Sequence, residues 1–156
     1  MIVKNKLNIK NGNKYSKISL YHKFINFFFL MGKKRIIKQQ IDSVFKLLSK
    51  EFKVSPITLL YHFFNRLKTY VEIKKVKKRL RVFLVPIPTS ICRRLHLGLK
   101  WLFSSICLNK LKISFEKKLY VEMLNILLNQ SCPTLDFLEK NNKLSIESRI
   151  NLHYRW

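Results

Sequence analysis

Six Lys and Arg residues stand between Lys74 and Arg81, in a stretch whose apolar residues favour extended structure. Val71, Ile73, Val82, Leu84 and Ile87 are β-rich and partly alternate with polar residues. This pattern predicts a β-hairpin over about 70–88 with a positive tip and positive flanks. Such a ribbon buries little of its own surface, and its dimensions suit a nucleic-acid groove. The plainer reading is a solvated edge hairpin whose lysines prevent strand-to-strand aggregation. Two or three lysines would fit that reading; six point to contact with RNA.

The whole chain shares the excess. Its 156 residues carry 32 Lys plus Arg against 8 Asp plus Glu, a formal net charge of +24. Eight acids cannot neutralise that surface, and the folded chain would repel itself without a polyanion. Yet 47% of the residues are hydrophobic and 13% aromatic, too apolar for a disordered basic tail. The composition describes a folded domain with a polyanionic partner, either nucleic acid or an acidic membrane surface. The charge is uneven: residues 1–41 hold ten basic residues and no acid, and 70–100 hold nine and one, Glu72. The bias toward Lys, Ile, Asn, Phe and Leu suggests an AT-rich genome, so part of the lysine count reflects codon drift.

Several classes are excluded. The longest apolar stretch, Phe24 to Met31, is too short to span a bilayer and is interrupted by Asn26. No secretory n-region, apolar core and cleavage site occur in order. Cys92, Cys107 and Cys132 form neither an even set nor a CxxC, which argues against disulfides or a zinc site. Three glycines cannot build a phosphate loop. The four histidines have no catalytic partners beyond Cys92–His96, and the carboxylates form no acid–base or two-metal pair. The chain is expected to be no enzyme and to need no cofactor or metal.

The remaining segments read as helices. Residues 1–19 are a flexible basic arm. Leu20 to Met31 is a short, very apolar helix ended by Gly32 and followed by Lys33, Lys34 and Arg35. Ile37, Ile41, Val44, Phe45 and Leu48 repeat at helical spacing. Ser55-Pro56 is a helix start, with Leu59, Leu60, Phe63, Phe64 and Leu67 as its buried stripe. Pro86 and Pro88 are expected to end the second strand, and Thr89 or Ser90 to cap the next helix. In that helix Ile91, Leu95, Leu99, Leu102 and Ile106 share a core face. Arg93, Arg94, His96, Lys100 and Trp101 fall opposite, around Leu97. Acids are absent from that second face, and arginines beside an indole suit phosphate pairing and stacking. Leu119, Tyr120, Met123 and Leu127 mark another helix; beyond Leu135 the pattern is weak.

Four groups of residues in order resemble the bacterial-type small-subunit ribosomal protein seven (S-seven) family. They are Lys23-Phe24-Ile25-Asn26 with Gly32-Lys33-Lys34, then Val71-Glu72-Ile73-Lys74. Val85-Pro86 with Arg93-Arg94 and Lys100-Trp101 comes third, and His153-Tyr154-Arg155-Trp156 closes the chain. The intervals between the first three groups match the family without insertion, and the resemblance spans about 20–156. It implies a mainly α domain of about six helices with one projecting hairpin. It implies a primary rRNA-binding protein that nucleates the head of the small subunit, on the 3′ major domain. By position it implies Lys33, Lys34, Arg35, Lys74, Lys75, Arg93, Arg94, Lys100, Trp101, Tyr154 and Arg155 as rRNA contacts. Lys77, Lys78, Arg79 and Arg81 would meet mRNA and exit-site tRNA. Implied neighbours are other head proteins and small-subunit protein eleven, with no membrane partner.

The chain departs from the family in three places, one of them a slightly long region from Cys107 to Lys117. Its hairpin tip is Arg79-Leu80 where the family has Gly-Gly, and Asp136-Phe137-Leu138-Glu139 replaces a basic stretch. Divergence together with the AT-rich bias suggests an organelle-encoded protein, mitochondrial before plastid. The competing class is a cationic membrane-surface protein, which would dock its aromatic first helix on acidic lipid beside Lys33, Lys34 and Arg35.

Overall fold

The computed structural model describes residues 17–29, 32–109 and 112–155. The arm expected over 1–19 lies outside these residues except for 17–19, which begin the first helix. Six helices and one hairpin follow in the order α1 (Lys17–Phe28), α2 (Lys34–Phe52), α3 (Pro56–Arg66), β1 (Val71–Lys78), β2 (Arg81–Pro88), α4 (Ile91–Leu108), α5 (Phe115–Leu128) and α6 (Pro133–Glu147). A 3₁₀ segment, Ser148–Arg155, ends the chain.

The helical stripes read from the sequence meet in one core. Phe24 is fully buried at its centre, with ring centroids 5.0 Å from Phe28, 5.7 Å from Phe45 and 6.1 Å from Phe63. Each such phenylalanine contributes about 1.5–3 kcal/mol by leaving water. Ile41, Val44, Phe45 and Leu48 of α2 are buried, as is the whole expected stripe of α3 with Leu67. α4 delivers Leu99, Leu102 and Ile106; α5 delivers Leu119, Met123 and Ile126. Ile91, expected in that core, is exposed because it sits at the first helical position, above the packed turns.

Local chemistry sets the boundaries. Ser55 caps α3, its hydroxyl accepting from the Thr58 N–H, with Pro56 in the first turn. α2 and α5 each end on a residue in the left-handed region, Lys53 and Asn129. Gly32 does not end α1, which stops at Phe28; its φ of +76° instead shapes the entry to α2, where its carbonyl accepts from Lys34 N–H.

The strands pair antiparallel from Val71↔Pro88 to Lys78↔Arg81, leaving Arg79-Leu80 as a two-residue loop. Arg79 alone of the two has positive φ, so the turn is not the type I′ that Asn-Gly favours. β2 runs through Pro86 and ends at Pro88, so the second proline closes the strand as expected while the first lies inside it. In a two-stranded ribbon every second backbone group faces outward and needs no N–H. Pro86 and Pro88 occupy such outward pairs, which places Leu84 on the same outer edge.

That edge is held. Asn151 of the 3₁₀ segment donates to the Leu84 carbonyl at 3.1 Å, and Tyr154 stacks on Phe83 at 4.2 Å and 22°. Lys78 places its ammonium 5.0 Å from the Tyr154 ring. On the other edge Asn141 of α6 donates to the Val71 carbonyl at 2.9 Å. The hairpin base is locked by Thr89, whose N–H donates to the Tyr70 carbonyl and whose hydroxyl donates to the Thr69 carbonyl, both at 3.0 Å.

Candidate RNA interface

The acids explain why so much positive charge stays available. Five of the eight act as internal fasteners. Asp42 accepts from the Tyr21 hydroxyl, Glu51 from Tyr120, Glu116 from Ser43, and Glu122 from Ser105 and Thr134. Four of these five take hydroxyl donors. Burial and the Asp42 bond push the Tyr21 hydroxyl well above its ordinary range. Glu122 is buried between α4, α5 and α6 with both oxygens satisfied. The fifth, Glu72, forms a two-pronged ion pair with Arg93 at 2.5 and 2.9 Å. That guanidinium holds the Glu72 carboxyl below the usual carboxylate range.

The predicted residues fall into three groups. Lys33, Lys34 and Arg35 are exposed at the start of α2, which has no acidic residue in its first turn and no side-chain cap at Lys33. Three cations at a helix N-terminus oppose the helix dipole. On the ribbon Lys74, Lys75, Lys77, Lys78, Arg79 and Arg81 are all exposed. The pleat divides them: Lys74, Lys78 and Arg81 share one face, and Lys75 and Lys77 the other. Lys74 and Lys75 therefore cannot meet the same strand of RNA face-on.

The α4 group is less uniform than its periodicity suggests. Leu97 and Gly98 are buried, which splits the expected face in two. Arg93, His96 and Lys100 form an exposed edge, and Arg93 is already bound to Glu72, an acid delivered from the hairpin. Burial, then Arg93 and Lys100, hold His96 below the usual histidine range, which favours its neutral form. Arg94 turns the other way: its Nε donates to the Thr89 carbonyl at 3.1 Å, and its guanidinium lies 4.5 Å from the Tyr70 ring. Trp101 is half-buried. At the C-terminus Tyr154 spends one ring face on Phe83, while the Arg155 side chain lies outside the described residues. Sequence reading missed Tyr70, an aromatic at the strand entry, and Asn151, which no pattern marks.

The aromatic first helix that a lipid surface would need is turned inward: Phe24, Ile25 and Phe28 are buried. Among the described residues no helix is long and apolar enough to cross a membrane.

A match to the family described as ribosomal protein S7p/S5e covers residues 2–134. The chain belongs to that family. It is thus a structural, non-enzymatic ribosomal protein of the small subunit, with a role in translation. Among its relatives is small ribosomal subunit protein uS7 of Syntrophus aciditrophicus, 27% identical over 92% of this chain and 90% of that protein. Its counterpart in Caldicellulosiruptor saccharolyticus is 25% identical over 86% of this chain and 85% of that protein. Small ribosomal subunit protein uS7m of Reclinomonas americana is 26% identical over 86% and 83%.

Proposed function

We propose that this S7-family protein is a primary binder of small-subunit rRNA that nucleates the subunit head on the 3′ major domain. The hairpin then reaches the exit-tRNA site and mRNA, near small-subunit protein eleven and other head proteins. The observation that carries the reading is the exposed ribbon, six cations with Glu72 at its base as the one acid of either strand. Phosphate contacts supply most of the affinity and a steep salt dependence; shape supplies selectivity. The rRNA anchors are Lys33, Lys34 and Arg35 together with the α4 edge and the hairpin base. Lys77, Lys78, Arg79 and Arg81 serve the exit site. The AT-rich composition, with a uS7m among the relatives, favours a mitochondrial ribosome over a plastid one.

The test uses the register. Val76 and Phe83 are directly paired, so replacing Lys77–Val82 by Asn-Gly closes a shorter hairpin across an inward-bonded pair. The truncated protein should keep its helical core, bind rRNA and enter small subunits, and those ribosomes should show altered frame maintenance or exit-site tRNA release. Loss of head assembly would instead make the tip an rRNA anchor. Normal assembly with normal translation would leave its charge as a solubility feature.

A further inference from the structure

The base of the hairpin, the end of α6 and the 3₁₀ segment line a recess of about 620 Å³. Tyr70, Ile146 and Leu152 give it apolar walls, Lys68 and Arg149 give it two cations, and no carboxylate lines it. Tyr70 is 61% exposed, yet its ring is not loose. Its carbonyl is bonded to Thr89, and the Arg94 guanidinium backs the ring, itself fixed on the Thr89 carbonyl. A flat aromatic backed by a fixed cation, beside two further cations, forms a stacking platform with phosphate partners at hand. The lining suits a planar group, and the volume leaves room for its flanking sugar and phosphates. The α6 wall lies beyond residue 134, where the family match ends.

We propose that this recess seats one unstacked base of the small-subunit rRNA on Tyr70, with Lys68 and Arg149 on its flanking phosphates. The proposal rests on the rRNA-binding reading above and names a site within it. A peptide occupant is disfavoured, because an extended segment would bond to the neighbouring strand edge and Pro86 and Pro88 offer it no N–H. A sliding mRNA is disfavoured too, because a gripped base resists movement.

The probe is a fluorescent single-stranded adenosine pentanucleotide bound to the full-length protein, measured by anisotropy. Tyr70→Ala should weaken it between about fivefold and about a hundredfold, the range for one aromatic–base stack. Tyr70→Phe should bind like the parent, which separates a lost ring from a lost fold. Arg149→Glu should weaken it more than Lys143→Glu, an equal charge change exposed on α6 outside the recess. Equal effects from those two, no effect of Tyr70→Ala, or equal competition by pentaglutamate would each overturn the site. A 4-thiouridine-labelled rRNA fragment should crosslink at Tyr70; a crosslink from labelled mRNA in its place would also overturn it. Affinity for the 3′ major domain fragment is measured alongside. If the parent protein fails to bind that fragment, the underlying reading fails; if it binds and Tyr70→Ala spares the pentanucleotide, this site alone fails.

Discussion

The double substitution Asn151→Ala with Tyr154→Ala should release the hairpin while leaving the helices folded. A two-stranded ribbon is marginal by itself, so its order depends on what braces it. Three contacts are removed. The Phe83–Tyr154 stack is worth about 0.5–1.5 kcal/mol. The exposed Lys78–Tyr154 contact adds about 0.5–1 kcal/mol. The Asn151–Leu84 bond adds about 0.5–1.5 kcal/mol. Neighbouring contacts do not add fully, so a net local loss of about 2 kcal/mol is expected. That raises the opening constant of the ribbon about thirtyfold. Native-state hydrogen exchange reads it directly at the Val76 and Phe83 amides, which face inward across the ladder. Amides of α2 and α4 should keep their protection. Unchanged protection at Val76 and Phe83, or a loss equal to that of the helices, would refute the idea that the 3₁₀ segment splints the hairpin.

Gly98→Ala should destabilise the fold despite alanine's better helix propensity, because the added Cβ would lie 3.2 Å from the Cβ of Leu67. The propensity gain of about 1 kcal/mol is outweighed by overpacking of about 1–3 kcal/mol, visible as a lower denaturation midpoint. Glu122→Leu should cost about 2–5 kcal/mol by stranding the Ser105 and Thr134 hydroxyls, whereas Glu122→Gln should be much milder, as chemical denaturation would show. The Glu72 carboxyl, depressed by Arg93, stabilises the fold above the ordinary carboxylate pKa, and that contribution fades as pH falls through its folded value. In Arg93→Gln the Glu72 carboxyl-carbon titration should move back up toward the ordinary range, a shift readable by NMR.

Much of this architecture was legible because hydrophobic period is a local property. The α3 stripe, the Ser55-Pro56 start and the two strands depend on neighbours in sequence, and each is found where spacing put it. The α4 face was legible only as far as one helix can be read. Periodicity set Arg93 and Arg94 side by side on a bare surface, but it could not see Glu72 arrive from the hairpin or Tyr70 slide beneath Arg94. Tyr154 is the same lesson at longer range: its ring partner Phe83 is distant in the chain. The end of α1 was misplaced because Gly32 was read as a stop signal, while it serves the entry to the next helix. Asn141 and Asn151 carry no pattern at all; only the folded backbone reveals that each reaches an outward carbonyl.

The two prolines of β2 bear on the life of the protein before it joins a ribosome. A newly made chain waits unassembled among many copies of itself, displaying a ribbon that another copy could extend into a growing stack. On the outer side of β2 such a newcomer meets no donor at Pro86 or Pro88, and the Leu84 acceptor is already engaged by Asn151. The outer side of β1 keeps its donors but carries Lys75 and Lys77, flanked by Lys74 and Lys78, so approaching copies repel one another. The ribbon can be displayed to its acidic partner while remaining a poor template for its own kind.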